Sequence, residues 1–111
     1  MERLDAMLLL TACHGSGELV EALIAEGAQV NAQNKDGETP LILAVLRAAA
    51  FNGRLRRRFL GIISALLQKG ADLNPKDRTG RTALDWALVL GQEDIAALLL
   101  ERGAALSSSI N

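Results

Sequence analysis

Tyrosine is absent from this 111-residue chain, and the remaining aromatics are two phenylalanines and one tryptophan. Half of the residues are apolar, so the interior must be assembled from Leu, Ala, Ile and Val, which suits closely packed helices. A single cysteine, Cys13, excludes an intramolecular disulfide and supplies no thiolate set for a metal. A reducing cytoplasm is compatible with it and is the expected location. The one histidine, His14, is its neighbour. A Cys/His nucleophile pair needs spatial apposition and an orienting third group, whereas adjacent helical residues diverge by about 100°. The carboxylates are scattered over helix ends and loops, and glycines occur singly at turns, never as a phosphate-cradling loop. No catalysis, metal or cofactor is expected. No segment approaches the ~18 consecutive apolar residues that span a bilayer.

Acidic residues are missing from one long stretch. Between Thr39 and Ala71 there is none, while Arg47, Arg54, Arg56, Arg57, Arg58 and Lys69 contribute six positive charges. The remainder holds six basic and thirteen acidic residues, so a net charge of −1 conceals a basic middle between acidic flanks. At the N-terminus, Leu10-Thr11-Ala12-Cys13 fits the bacterial lipobox pattern of a lipoprotein processing site. A signal peptide also requires a basic leader and an apolar run of 7–15 residues. Glu2 and Asp5 stand in the leader position and Ala6–Ala12 barely reaches that length, so a folded helix is the preferred reading.

What the chain does contain is repetition. Gly37-Glu38-Thr39-Pro40-Leu41-Ile42-Leu43-Ala44 recurs in altered form 43 residues later as Gly80-Arg81-Thr82-Ala83-Leu84-Asp85-Trp86-Ala87. A second signature, Gln68-Lys69-Gly70-Ala71-Asp72-Leu73-Asn74, is echoed by Glu101–Leu106 and by Ala25–Asn31. Recurrence of two signatures in the same order marks a repeat architecture. The opening and closing signatures resemble those of the ankyrin repeat. In that register, one domain holds repeats 1–33, 34–76 and 77–109, the middle one carrying ten extra residues. The resemblance implies an all-α solenoid of helix-turn-helix units joined by short β-hairpin loops, and a role in binding other proteins.

Apolar spacing at three and four residues predicts a first helix over 1–14 and a second over 18–26, with Leu19, Val20, Leu23 and Ile24 buried. Thr39 as N-cap with Pro40 at the first helical position starts the third helix. Asn52-Gly53 is read as a turn, and residues 54–68 as a helix with Leu55, Phe59, Ile62, Ile63, Leu66 and Leu67 in one stripe. About one extra turn on each of these two helices would carry the Asn52-Gly53 tip roughly 6–8 Å past its neighbours. Thr82 caps the fifth helix, with Leu84, Ala87 and Leu88 inward, and the sixth runs over 94–102. Pro75 removes a backbone donor, so the second linker is expected to pair less fully than the first. The Ser-rich tail from Leu106 is expected to fray. Leu98–Leu100 give the last repeat an apolar character where a terminal repeat needs a polar outer face.

The site candidates follow from charge and from the resemblance. Arg54, Arg56, Arg57 and Arg58 form the one charged cluster. It is read as a solvated helix face, as a tip for an acidic protein surface, as a nucleic-acid or lipid contact, or as partners for carboxylates of adjacent repeats. Nucleic acid is disfavoured by a pI near 5.8 and by the absence of aromatics among the arginines, and a membrane by the shortness of the cluster. By the ankyrin register, Lys35, Asp36 and Glu38 on the first linker and Arg78, Thr79 and Arg81 on the second occupy positions that commonly contact partners. So do Leu46, Arg47, Val89 and Leu90 at the inner-helix ends, unless Val89 and Leu90 pack beneath the elongated middle hairpin. Trp86 is assigned to packing in preference to an interface. The expectation is a monomeric protein-binding module whose partner carries an acidic patch; its small size is compatible with an inhibitor or immunity-type protein. The alternative is a structural unit that self-associates through its apolar third repeat.

Overall fold

The computed structural model describes residues 2–104 and consists there of six helices in three consecutive pairs. These are α1 (Arg3–His14) with α2 (Gly17–Ala25), α3 (Pro40–Ala50) with α4 (Gly53–Gln68), and α5 (Ala83–Val89) with α6 (Glu93–Glu101). α3 packs against α1, α4 and α5, α2 packs against α4, and α6 packs on α5. The first helices of the pairs thus form one layer and the second helices another, with α3 and α4 at the centre of the array. No strand occurs among the described residues.

Capping residues set the helix starts. The Thr39 hydroxyl accepts a hydrogen bond from the Ile42 N–H at 3.2 Å, ahead of Pro40, whose missing donor costs nothing in a first turn. Thr82 does the same for Asp85, and the Asp85 carboxylate returns a bond to the Thr82 N–H, completing a capping box. Ser16 caps α2 through the Leu19 N–H, so the Gly15–Gly17 break is also a helix start.

The core runs through all three pairs. Leu8, Val20, Leu41, Ile42, Val45, Ile62, Ile63, Leu66, Leu84, Ile95 and Leu99 are essentially sealed from solvent. Leu19 and Leu88, expected inside, are exposed, at 46% and 47%, and so are Leu55 and Leu100, at 44% and 50%. Successive helical residues point about 100° apart, so a run such as Leu98–Leu100 cannot all face one neighbour. Leu99 takes the buried position, Leu98 is half-buried and Leu100 faces out. Leu55 is bare for another reason: it lies on a part of α4 that extends beyond α2 and α6.

That extension is unequal. The middle pair aligns with the third at the start of α3 and the end of α4, so the extra length lies wholly at the Phe51-Asn52 turn. α3 has 11 residues against 7 in α5, and α4 has 16 against 9 in α6. At 1.5 Å per residue, α3 gains about 6 Å and α4 about 10 Å. The expectation of one extra turn on each helix is corrected to one turn and two turns. The projection therefore extends past the third pair and α2, while α1 ends at His14, with Cys13 and His14 beside Arg47 and Phe51.

The linkers are tight loops at the opposite end of the helices. Asn34 donates to the Glu38 carbonyl at 3.0 Å and Gly37 to the Asn34 carbonyl at 2.9 Å. In the next loop, Asp77 donates to the Arg81 carbonyl and Gly80 to the Asp77 carbonyl, both at 2.9 Å. Pro75 therefore leaves the second loop as fully closed as the first, because it precedes the segment that pairs. The Arg78 N–H reaches the Asp36 carbonyl at 2.8 Å and ties the two loops together. Gly37 permits this approach: it sits at φ 77°, and a Cβ there would lie 3.1 Å from the Asp77 Cα and 3.2 Å from the Arg78 nitrogen. The tail from Leu106 lies outside the described residues.

Candidate functional site

The candidate residues separate into two groups at opposite ends of the inner helices. Lys35, Asp36, Glu38, Arg78 and Arg81 lie on or next to the loops that precede α3 and α5. Arg47, Arg54, Arg56, Arg57, Arg58, Val89 and Leu90 lie at the helix-to-helix turns. Arg47 is seven residues into α3, about 10 Å along its axis.

The loop group is largely engaged within the chain. Asp36 pairs with Arg78 at 3.3 Å. The Glu38 carboxylate accepts from the Asn34 side-chain amide at 2.9 Å. The Arg81 guanidinium sits 4.8 Å from the centre of the Trp86 ring, within cation–π range. Beneath them lies Asp77, which sequence reasoning passed over. It is buried, and its Oδ1 accepts from the backbone N–H groups of Thr79 and Arg81 and from the Thr79 hydroxyl. Its Oδ2 accepts from the Trp86 indole N–H at 2.7 Å. Burial alone would push the Asp77 carboxyl upward, but the bonds from Thr79, Trp86 and Arg81 outweigh it and hold the carboxyl below its ordinary value. Trp86 is thus a packing residue with its polar edge satisfied, and the signal for Asp77 lay in the repeat itself. Asn34, 43 residues earlier, makes the same turn-closing bonds to the N–H groups of Asp36 and Glu38.

At the other end, the arginine cluster is divided. Arg56 forks onto Asp94 at 2.9 and 3.1 Å and also donates to the Gln92 side-chain oxygen at 2.7 Å. The Arg56 bonds are the leading cause holding the Asp94 carboxyl below its ordinary value. This bidentate pair links the extended part of α4 to the start of α6, beside a gap of about 230 Å³ lined by Leu60, Asp94, Ile95 and Leu98. Arg56 is therefore the internal partner of an adjacent repeat's carboxylate. Arg54, Arg57 and Arg58 are exposed and, like the half-exposed Arg47, form no ion pair among the described residues.

Arg47 and Arg58 flank a concavity of about 280 Å³ between the ends of α1 and α3 and the first turns of α4. Phe51, Leu55 and Phe59 form its apolar lining, the two phenylalanine rings stacking with centres 5.8 Å apart. Cys13 and His14, from the last turn of α1, complete the wall. Val89 and Leu90 are exposed, at 58% and 39%, so the middle hairpin does not cover them. Among the described residues, no three His, Cys, Asp or Glu side chains converge as a metal site, and no helix is long and apolar enough to cross a membrane.

The start of α4 is electrostatically unusual. Asn52 makes no side-chain cap bond and the first turn holds no acidic residue, yet Arg54, Arg56 and Arg57 follow at the positive end of the helix dipole. Asn52→Asp is expected to raise stability by about 0.3–1 kcal/mol at low salt through the helix dipole and the neighbouring arginines. Thermal melts at two ionic strengths check this, since the gain should shrink as salt rises. An unchanged melt at low salt would mean that no electrostatic conflict exists there.

Stacked pairs of short helices, a repeated turn-closing Asx residue and loops tied to one another define a helical-repeat scaffold. The chain belongs to the ankyrin-repeat family: the family profile, Ankyrin repeats (3 copies), matches residues 8–109. Ankyrin repeats are in general protein–protein interaction modules and typically non-catalytic. No curated protein matches the chain significantly.

Proposed function

We propose that this chain is a non-catalytic binding module that recognises an acidic surface of another protein through the projecting turn between α3 and α4. The observation that carries this reading is the set of unpaired guanidiniums on that turn. Arg47, Arg54, Arg57 and Arg58 stand in a stretch without a single carboxylate, and three of them are exposed. Arginine suits the task because its planar fork pairs bidentately with carboxylates, as Arg56 does with Asp94 inside the chain. Charge matching of this kind chiefly raises association rate and specificity. Val89 and Leu90 on the neighbouring turn supply adjacent apolar area, and Lys35 at the loop end is a second, weaker contact candidate. The partner is read as a protein rather than a nucleic acid or membrane, because Phe51 and Phe59 stack on each other and Phe59 is buried. A small inhibitor or immunity-type role, acting in the cytoplasm, is the use that fits a chain of this size by analogy of fold.

The test is affinity capture from the source cells with the wild-type chain and with R54E/R57E/R58E, circular dichroism confirming that both fold. The expected result is a stoichiometric partner lost on charge reversal. A partner retained undiminished would move the contact away from this turn. A second reading, self-association, is favoured by Leu88 and Leu100, which are exposed on the last helix pair. Light scattering over a hundredfold concentration range separates the two: a monomer is expected, and a dimer dispersed by Leu100→Glu would establish the alternative.

A further inference from the structure

We propose that the concavity between α1, α3 and α4 is the seat for an acidic peptide segment of the partner carrying one large apolar side chain. This deepens the binding-module reading and rests on it, while naming a particular seat and the chemistry that fills it. Two observations converge there. Phe51 and Leu55 present apolar surface at the mouth of the concavity, and Leu55 is 44% exposed. Arg47 and Arg58 stand on its rim with no carboxylate paired to either among the described residues. An apolar floor between two unpaired guanidiniums matches an aliphatic or aromatic side chain flanked by carboxylates.

Size narrows the occupant further. At about 280 Å³ the concavity is at the small end of the roughly 300–1,000 Å³ typical of ligand sites, a volume that one large side chain can fill. Its position is also distinct from the loop end, where Asp36 is paired with Arg78 and Glu38 with Asn34. A peptide there would contact the first two repeats and the projecting turn and leave the third repeat untouched.

The probe is a fluorescein-labelled octapeptide of glutamates around a central phenylalanine, titrated against the full chain by anisotropy. Arg58→Glu and Arg47→Glu are each expected to weaken binding by about tenfold, the loss of one charge-assisted contact. Lys69→Glu, at the far end of α4 and outside the concavity, should cost no more than about twofold, as a screened surface charge. A peptide with alanine at its centre should bind at least about tenfold more weakly, having lost a buried aromatic ring. Cys13 on the wall gives an independent readout, since saturating peptide should slow its alkylation several-fold. Absence of binding overturns the proposal, as does binding that survives both Arg58→Glu and the central alanine or leaves Cys13 unprotected. A dimer of the chain that Arg58→Glu disperses would place a second copy in the seat and overturn it too. If the peptide arm fails while the captured partner still depends on Arg54, Arg57 and Arg58, this seat alone is lost. If both fail, the binding-module reading at this turn falls with it.

Discussion

Asp77→Ala should destabilise the protein by about 2–4 kcal/mol, the cost of leaving four part-buried donors without an acceptor. For a chain of this length that corresponds to a fall in Tm of roughly 10–20 °C. One carboxylate closes the second loop, satisfies the Thr79 hydroxyl and holds the Trp86 indole at 2.7 Å. Because Arg78 of that loop bonds to Asp36 of the preceding one, loosening the second loop also loosens the stacking of the second and third repeats. The conservative variant separates the contributions. Asparagine serves the turn-closing role in the first loop, where Asn34 accepts from two backbone N–H groups. Asp77→Asn should therefore keep the turn and lose chiefly the Trp86 bond, at about 1 kcal/mol. Thermal melts read both variants, and the emission of the sole tryptophan should change in each. Equal destabilisation by the two variants would show that the charge, and not the turn geometry, is what the loop requires.

The same residue gives the stability a definite pH dependence. The Asp77 carboxyl lies below its ordinary value of 3.8 in the folded chain, so folding favours the ionised form. Its contribution is fully present above that ordinary value and is lost as pH falls through the lower folded value. Acid melts of the wild type should therefore steepen below about pH 4, and Asp77→Asn should flatten the profile in that window. Asp94 acts in the same direction through Arg56, but it is 61% exposed, so solvent screens most of its effect.

Most of the architecture was legible because the repeat carries its own punctuation. Thr39-Pro40 and Thr82 mark helix starts, and the glycine signatures mark their ends. What spacing could not resolve was how far each leucine turns inward. Leu19 and Leu88 adjoin a buried residue on their own helix, and their exposure depends on whether a neighbouring helix reaches that angle. The site was legible in part. Local composition located the arginine cluster but could not show that Arg56 is drawn away to Asp94, a contact spanning 38 residues. Nor could it show that Cys13 and His14, in the first repeat, share a wall with Arg58 in the second. Such juxtapositions depend on the unequal lengths of α3 and α4, which become apparent only once the turn is placed.

Leu66→Ala tests how far the array holds together as a unit. Leu66 is sealed from solvent in α4, the helix packed against both α2 and α3. Truncation there should cost about 2–5 kcal/mol, combining lost burial with the cavity left behind. A small domain has only about 5–15 kcal/mol in total, and about three repeats are the minimum for a stable array. In a solenoid each repeat is stabilised by its neighbours, so a weakened centre should destabilise both ends together. Urea unfolding followed by circular dichroism should then show a lower midpoint with an unchanged slope. Trp86, which sits in the third repeat away from the substitution, should report the same shifted midpoint. If its transition stays at the wild-type position while the helical signal shifts, the third repeat folds on its own. In that case a partner seated on the first two repeats would stabilise those two alone. If the midpoints coincide, occupancy of the α1–α3–α4 concavity should raise the stability of the entire chain, because ligand bound only to the folded state shifts the whole equilibrium.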